Sequence, residues 1–266
     1  DIMEQLTLNL PFQTSFQIST NSKELVDMLK LKYGKYVTTT AAENAKHISA
    51  FKNDGIYQVA FEGMNVTDES GAFAIDEIVA NNTVYDEAVF ALHGAAVEHR
   101  GKAYLFLAST TSGKSTLTSF LTTSGFGYLT DDCILLDRTS FCVYPFTTPI
   151  HLREGGLNVL KRLNSAPKSF EVIDDEKFER FVYTPSNCVT RPAELDKIFF
   201  IARTEQENSL NQMDTISRMT ALMKAPITPY PVTPDYLKFI SKLAAKNCFA
   251  LNYCDMAFAA EVIQNG

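Results

Sequence analysis

Residues 101–132, GKAYLFLASTTSGKSTLTSFLTTSGFGYLTDD, decide how this chain is read. The apolar run Tyr104 to Ala108 predicts a buried strand, Ser109 to Gly113 a small-residue loop, and Lys114 the opening of a helix. A second short apolar stretch then delivers two adjacent carboxylates, Asp131 and Asp132. A glycine, four residues and Gly-Lys-Ser/Thr make a phosphate loop, because backbone N–H groups at a helix N-terminus cradle anionic oxygens. Here the segment reads Ala108-Ser109-Thr110-Thr111-Ser112-Gly113-Lys114-Ser115, with alanine in the place of the first glycine. The predicted nucleotide contacts are Ser109, Thr110, Thr111, Ser112, Gly113, Lys114, Ser115 and Thr116. Lys114 reaches for the β- and γ-phosphates, and the Ser115 hydroxyl is placed to ligate magnesium. Two neighbouring carboxylates repel each other, and a cation relieves that repulsion. ATP and Mg2+ are therefore the expected ligands, and spacing does not divide the roles of Asp131 and Asp132.

Composition sets the outer limits. A chain of 266 residues with 45% hydrophobic content can bury a sizeable core. Lys+Arg 24 against Asp+Glu 31 gives a net charge of -7, which disfavours a nucleic-acid groove but not a nucleotide pocket. No apolar run is long enough to predict a membrane span, and the first residues carry no signal-peptide pattern. The five cysteines, Cys133, Cys142, Cys188, Cys248 and Cys254, show no CxxC spacing, so free thiols and a cytoplasmic location are expected.

Residues 1–87 read as a separate α+β region without recognisable chemistry, a packing or oligomerisation layer or a surface that recognises an acceptor. Strands are predicted at LTLNL, FQTSFQI, Tyr36 to Thr40 and Gly55 to Phe61, with a helix capped by Asn21 or Ser22. Asp76 to Ala80 fits strand or helix equally. Residues 88–266 read as the catalytic domain. Gly101 predicts a hairpin that makes residues 95–108 an antiparallel pair, unusual beside a phosphate loop. Further strands are predicted at Cys133 to Asp137, Phe141 to Tyr144, Ile150 to Leu152, Leu195 to Ala202 and Phe249 to Tyr253. Helices are predicted at Thr215 to Lys224, Asp235 to Asn247 and Asp255 to Ile263, and residues 161–187 as a mobile polar excursion. His93, before Gly94, is a candidate polar partner for the reacting group, and Arg153 a candidate clamp on phosphoryl oxygens.

In this order, LHGAAVEHRGKAYLFLASTTSGKSTL, GFGYLTDDCILLD, YPFTTPIHLREGG and ELDKIFFIAR resemble the HPr serine kinase/phosphorylase family, and its shorter relatives most. The resemblance spans about residues 88–263. It implies an α/β fold, a phosphate-loop mixed sheet flanked by helices and related to phosphoenolpyruvate carboxykinase. It also implies that Asp131 is general base for the acceptor hydroxyl and that Asp132 assists with metal and orientation. His93 then supports catalysis, Lys114 and Ser115 hold phosphates and metal, and Arg153 is the catalytic arginine. Self-association is implied as well. The chain departs from the family at Ala108, at Thr116 where the family has glutamate, and at His151-Leu152-Arg153-Glu154, where the family signature reads Glu-Ile-Arg-Gly. The last departure points towards kinase and away from phosphorylase activity. The acceptor implied is a hydroxyl of a protein, a peptide or a small molecule. The alternatives are a nucleotide-binding sensor without transfer, and a carboxykinase-like enzyme acting on a small acid.

Overall fold

Alternation of apolar and polar residues shapes the first part of the chain, and unbroken apolar runs shape the second. The structure is a computed structural model that describes residues 3–12, 14–40, 42–83, 88–108, 112–175, 178–227 and 231–265. The chain divides into two units, Asp1–Glu87 and Ala88–Gly266. Both are mixed α/β arrangements of sheets flanked by helices.

In the first unit, β1 (Glu4–Asn9) and β2 (Ser15–Thr20) form an antiparallel hairpin. Helix α1 (Lys23–Tyr33) follows, capped by Ser22, whose side chain accepts from the Leu25 N–H. It crosses to β4 (Lys46–Asn53), which lies parallel to β2. β3 (Val37–Thr38), β5 (Ile56–Phe61) and β6 (Met64–Asp68) complete the order β3-β1-β2-β4-β5-β6, and α2 (Ala72–Thr83) closes the unit. Leu8, Phe16, Ile18, Ile48, Tyr57 and Val59 point inward and bury their apolar surface, together with Leu25 and Leu29 of α1. The Tyr36 to Thr40 strand shrinks to two residues, and Asp76 to Ala80 resolves as helix.

The second unit opens with β7 (Val89–His93), β8 (Ala95–His99) and β9 (Lys102–Leu107). Helix α3 (Lys114–Thr123) follows the loop, then β10 (Gly127–Thr130), β11 (Cys133–Asp137), β12 (Cys142–Tyr144), β13 (Ile150–Arg153) and α4 (Glu154–Arg162). β14 (Glu171–Asp175), β15 (Phe178–Tyr183), β16 (Ala193–Arg203), β17 (Ser209–Gln212), α5 (Thr215–Met223), α6 (Pro234–Ala244), β18 (Asn247–Tyr253) and α7 (Met256–Asn265) end the chain.

The large sheet runs β10-β8-β9-β16-β12-β11-β7, with β18 and β17 beside the C-terminal part of β16. β8 and β9 pair antiparallel, while β9, β16 and β18 run parallel. Helices cover both faces of β9, which is why its sequence is apolar without alternation. Leu105 and Leu107 pack into the cluster that holds Leu222, Ile240 and Leu243 of α5 and α6. Tyr104 and Phe106 pack into the opposite cluster, with Leu117 and Leu121 of α3 and Met256 and Ile263 of α7.

Residues 161–187 correct the expectation of a mobile excursion. β14 and β15 pair with β13 in a three-stranded antiparallel sheet, and Phe181 and Val182 are buried. Its charged residues sit on a half-solvated sheet, which reads as polar in sequence. Helix α4 and β17 are additions that the sequence did not announce.

Candidate functional site

The site is built where β9 gives way to α3. Ser109, Thr110 and Thr111 lie outside the described residues. Gly113 has φ 88° and ψ 13°, the left-handed conformation that glycine adopts at little cost, and it is the N-cap of α3. Gly113 has no side chain with which to cap this helix; its ladder begins with the Leu117 N–H donating to the Gly113 carbonyl at 2.9 Å. Lys114 is only 8% exposed, and its Nζ donates to the Ala108 carbonyl at 3.0 Å, folding the ammonium back over the end of β9. Burial lowers the Lys114 pKa, and the carboxylates of Asp131 and Asp132 oppose that shift. Ser112 and Ser115 are partly buried at the same turn. Thr116 is buried against α4: a Cβ added at Gly156 would lie 2.5 Å from its Oγ1. The Thr116 hydroxyl thus lies where α4 passes close, at Gly156.

Facing this turn is the corner between β10 and β11. Asp131 is 7% exposed, and Asp132 is exposed. Burial, and next the Asp132 charge, raise the Asp131 pKa well above the usual carboxylate range. The Ser115 hydroxyl, the Lys114 charge and the Thr118 hydroxyl pull it back down. Asp131 Oδ1 is buried and has no hydrogen-bond partner among the described residues. Such an oxygen is costly to leave unmet, and a donor or cation entering the site would satisfy it.

The corner is held from behind. The Gly94 N–H donates to the Asp132 carbonyl at 3.2 Å, and Thr130 Oγ1 donates to the Cys133 carbonyl at 2.9 Å. Gly94 must be glycine, since a Cβ there would lie 2.6 Å from the Phe106 carbonyl oxygen and 2.8 Å from Leu107 Cδ2. His93 sits opposite Cys133 in the β7–β11 register, and its N–H donates to the Ala225 carbonyl at 2.7 Å. Burial, then the Lys114 charge, lower the His93 pKa, so its ring is neutral near pH 7. His93, Lys114, Ser115, Asp131 and Asp132 are therefore brought together. Arg153 stands exposed at the junction of β13 and α4, three residues before the contact of Gly156 with Thr116.

Two residues escaped the sequence reading. A Cβ on Gly113 would lie 3.0 Å from the Tyr253 hydroxyl oxygen and 3.7 Å from Arg203 Cδ. The only signal for them was position: each ends an apolar strand, and ligands of open α/β sheets gather at the C-terminal ends of parallel strands.

Among the described residues no group of three or more His, Cys, Asp or Glu side chains is arranged to hold a metal ion. An all-protein metal cage is not the pattern here. The donors at the corner are the Ser115 hydroxyl and two carboxylates, hard oxygens that suit magnesium completed by phosphate oxygens and water. The unmet Asp131 oxygen beside them fits the same polar visitor.

No family model matches the chain. No curated protein matches it either. Among solved structures, the HPr(Ser) kinase/phosphatase from Coxiella burnetii aligns with a TM-score of 0.32 and 13% identity, over 66% of this chain and 94% of that one. The likeness is a loose one, of fold only. Among the described residues no helix is long and apolar enough to cross a membrane.

Proposed function

We infer that the unit of residues 88–266 is an ATP- and magnesium-dependent phosphotransferase acting on a hydroxyl of a protein, a peptide or a small molecule. The observation that carries this reading is Asp131: a buried carboxylate, with one oxygen lacking a donor among the described residues, beside the lysine and serine of a phosphate-loop turn. A carboxylate held this way accepts the proton of an incoming hydroxyl as its oxygen bonds to the γ-phosphorus and the bond to the ADP oxygen breaks. Its raised pKa brings it closer to the range in which a base works near neutral pH. Lys114 balances charge on the β- and γ-phosphates, and the N-terminus of α3 receives phosphate oxygens. Ser115 and Asp132 would hold magnesium, which when bound neutralises phosphate charge. His93, neutral and pinned through its backbone to Ala225, lines the corner as a polar wall.

A second reading, nucleotide binding without transfer, draws support from Thr116. It places no carboxylate after the loop serine, and its side chain is buried where α4 passes close at Gly156. Incubating the protein with ATP, magnesium and candidate hydroxyl acceptors separates the two, with ADP and phosphorylated product quantified by mass spectrometry. Asp131→Asn should keep the ATP affinity and lose transfer by roughly 10²–10⁴-fold. Lys114→Ala should weaken ATP binding by roughly tenfold or more, the worth of one charged hydrogen bond. ATP bound by the parent with no product from any acceptor favours the sensor reading. Unchanged ATP affinity in Lys114→Ala removes the phosphate-loop assignment.

A further inference from the structure

The parallel strands β9, β16 and β18 end at one edge of the sheet. β9 stops at Leu107, opposite Phe200, while β16 continues to Arg203. In the β16–β18 register Arg203 faces Tyr253, the last residue of β18, and the Thr204 N–H donates to the Tyr253 carbonyl at 2.9 Å. The overhang brings both side chains against Gly113, the N-cap of α3.

Packing explains the Tyr253 ring but not its hydroxyl. The ring lies in the apolar cluster with Leu117, Phe199, Ile201 and Met256, and the residue is 0% exposed. Its Oη has no hydrogen-bond partner among the described residues, although it sits where a Cβ on Gly113 would almost touch it. A phenylalanine would fill the same space without an unmet donor. Arg203 is exposed, and no carboxylate pairs with it among the described residues. Its charge acts on the Tyr253 hydroxyl, whereas the charges acting on Lys114 are those of Asp131 and Asp132. The turn thus has two differently charged neighbourhoods, an acidic corner at Lys114 and Ser115 and a cationic one at Gly113.

We propose that Arg203 and Tyr253 form a second anchor for a polyphosphate seated on the α3 turn, both donating hydrogen bonds to oxygens of the phosphates that stay with the nucleotide. This deepens the nucleotide reading above and rests on it. A guanidinium matches phosphate oxygens in geometry as well as charge, and a buried phenol adds a fixed donor. Because the anchor stands apart from the carboxylates, it grips ADP as firmly as ATP.

Calorimetric titration of the full chain with ATP, ADP and pyrophosphate, each with magnesium, tests this. Arg203→Gln should weaken ATP and ADP equally, by roughly tenfold, and Arg203→Lys should recover part of the loss. Tyr253→Phe should also weaken both nucleotides while leaving the Tm of the ligand-free protein unchanged or higher, since it removes an unsatisfied hydroxyl. In a transfer assay the loss should fall on KM for ATP rather than on the plateau rate. Parent-like affinities in Arg203→Gln and Tyr253→Phe, beside weakened binding in Lys114→Ala, would overturn the anchor and leave the nucleotide site standing. A lower Tm for Tyr253→Phe with unchanged affinity would make the hydroxyl structural and overturn the anchor too. A parent that binds none of the three probes removes both.

Discussion

Asp131 is asked to be two things at once, a buried group and a charged one. Its folded pKa is raised, by burial first and then by Asp132. A carboxyl raised in this way contributes stability below its unfolded pKa of about 3.9, and that contribution is lost as pH rises through the folded value. In the metal-free protein, Asp131→Asn should therefore be more stable than the parent near neutrality. The gap should widen as pH is raised from about 4, with Tm rising by roughly 2–4 °C for each kcal/mol of relieved charge cost. Thermal melts of both proteins across pH in a chelating buffer check this, and a variant less stable than the parent at pH 7 contradicts it. Lys114, Ser115 and the carboxylate pair could be read in sequence because they fall in two adjacent pairs, separated by one helix and one short strand. Arg203 and Tyr253 were not, because the long-range register of β16 and β18 places them beside Gly113, and no local motif encodes that register.

At the scale of elements, the His93-Gly94 step matters for its backbone. Gly94 lets β7 turn into β8 against β9 and hands its N–H to the carbonyl of Asp132. Gly94→Ala forces a methyl to 2.6 Å from the Phe106 carbonyl oxygen. The expected cost is roughly 1–3 kcal/mol in urea unfolding, with transfer activity falling alongside as the acidic corner shifts. Unchanged stability would mean that the corner is not held there. Strands buried on both faces, such as β9 and β16, announce themselves as apolar runs, and so does the β8–β9 hairpin through its turn at Gly101. β14 and β15 did not, because half-solvated strands carrying Asp, Glu and Arg have the polarity of a loop. Helix α4 stayed hidden behind Gly155 and Gly156, of which the second lets α4 lie close against Thr116.

At the scale of the molecule, every residue of the proposed chemistry belongs to the unit Ala88–Gly266. We expect a fragment of residues 88–266 to bind ATP with the affinity of the full chain, and calorimetry on the two checks it. Loss of affinity in a folded fragment would assign residues 1–87 a part in the nucleotide site. The net charge of -7 is compatible with this chemistry because attraction comes from a few fixed donors at one helix end, not from a basic surface. A crystal structure of the full chain with magnesium and a non-hydrolysable ATP analogue tests the central claim most directly. The account predicts phosphates on the turn from Gly113 to Ser115, with Asp131 Oδ1 turned towards the terminal phosphate. Phosphates bound elsewhere, or an Asp131 oxygen still without a partner and remote from them, would contradict it.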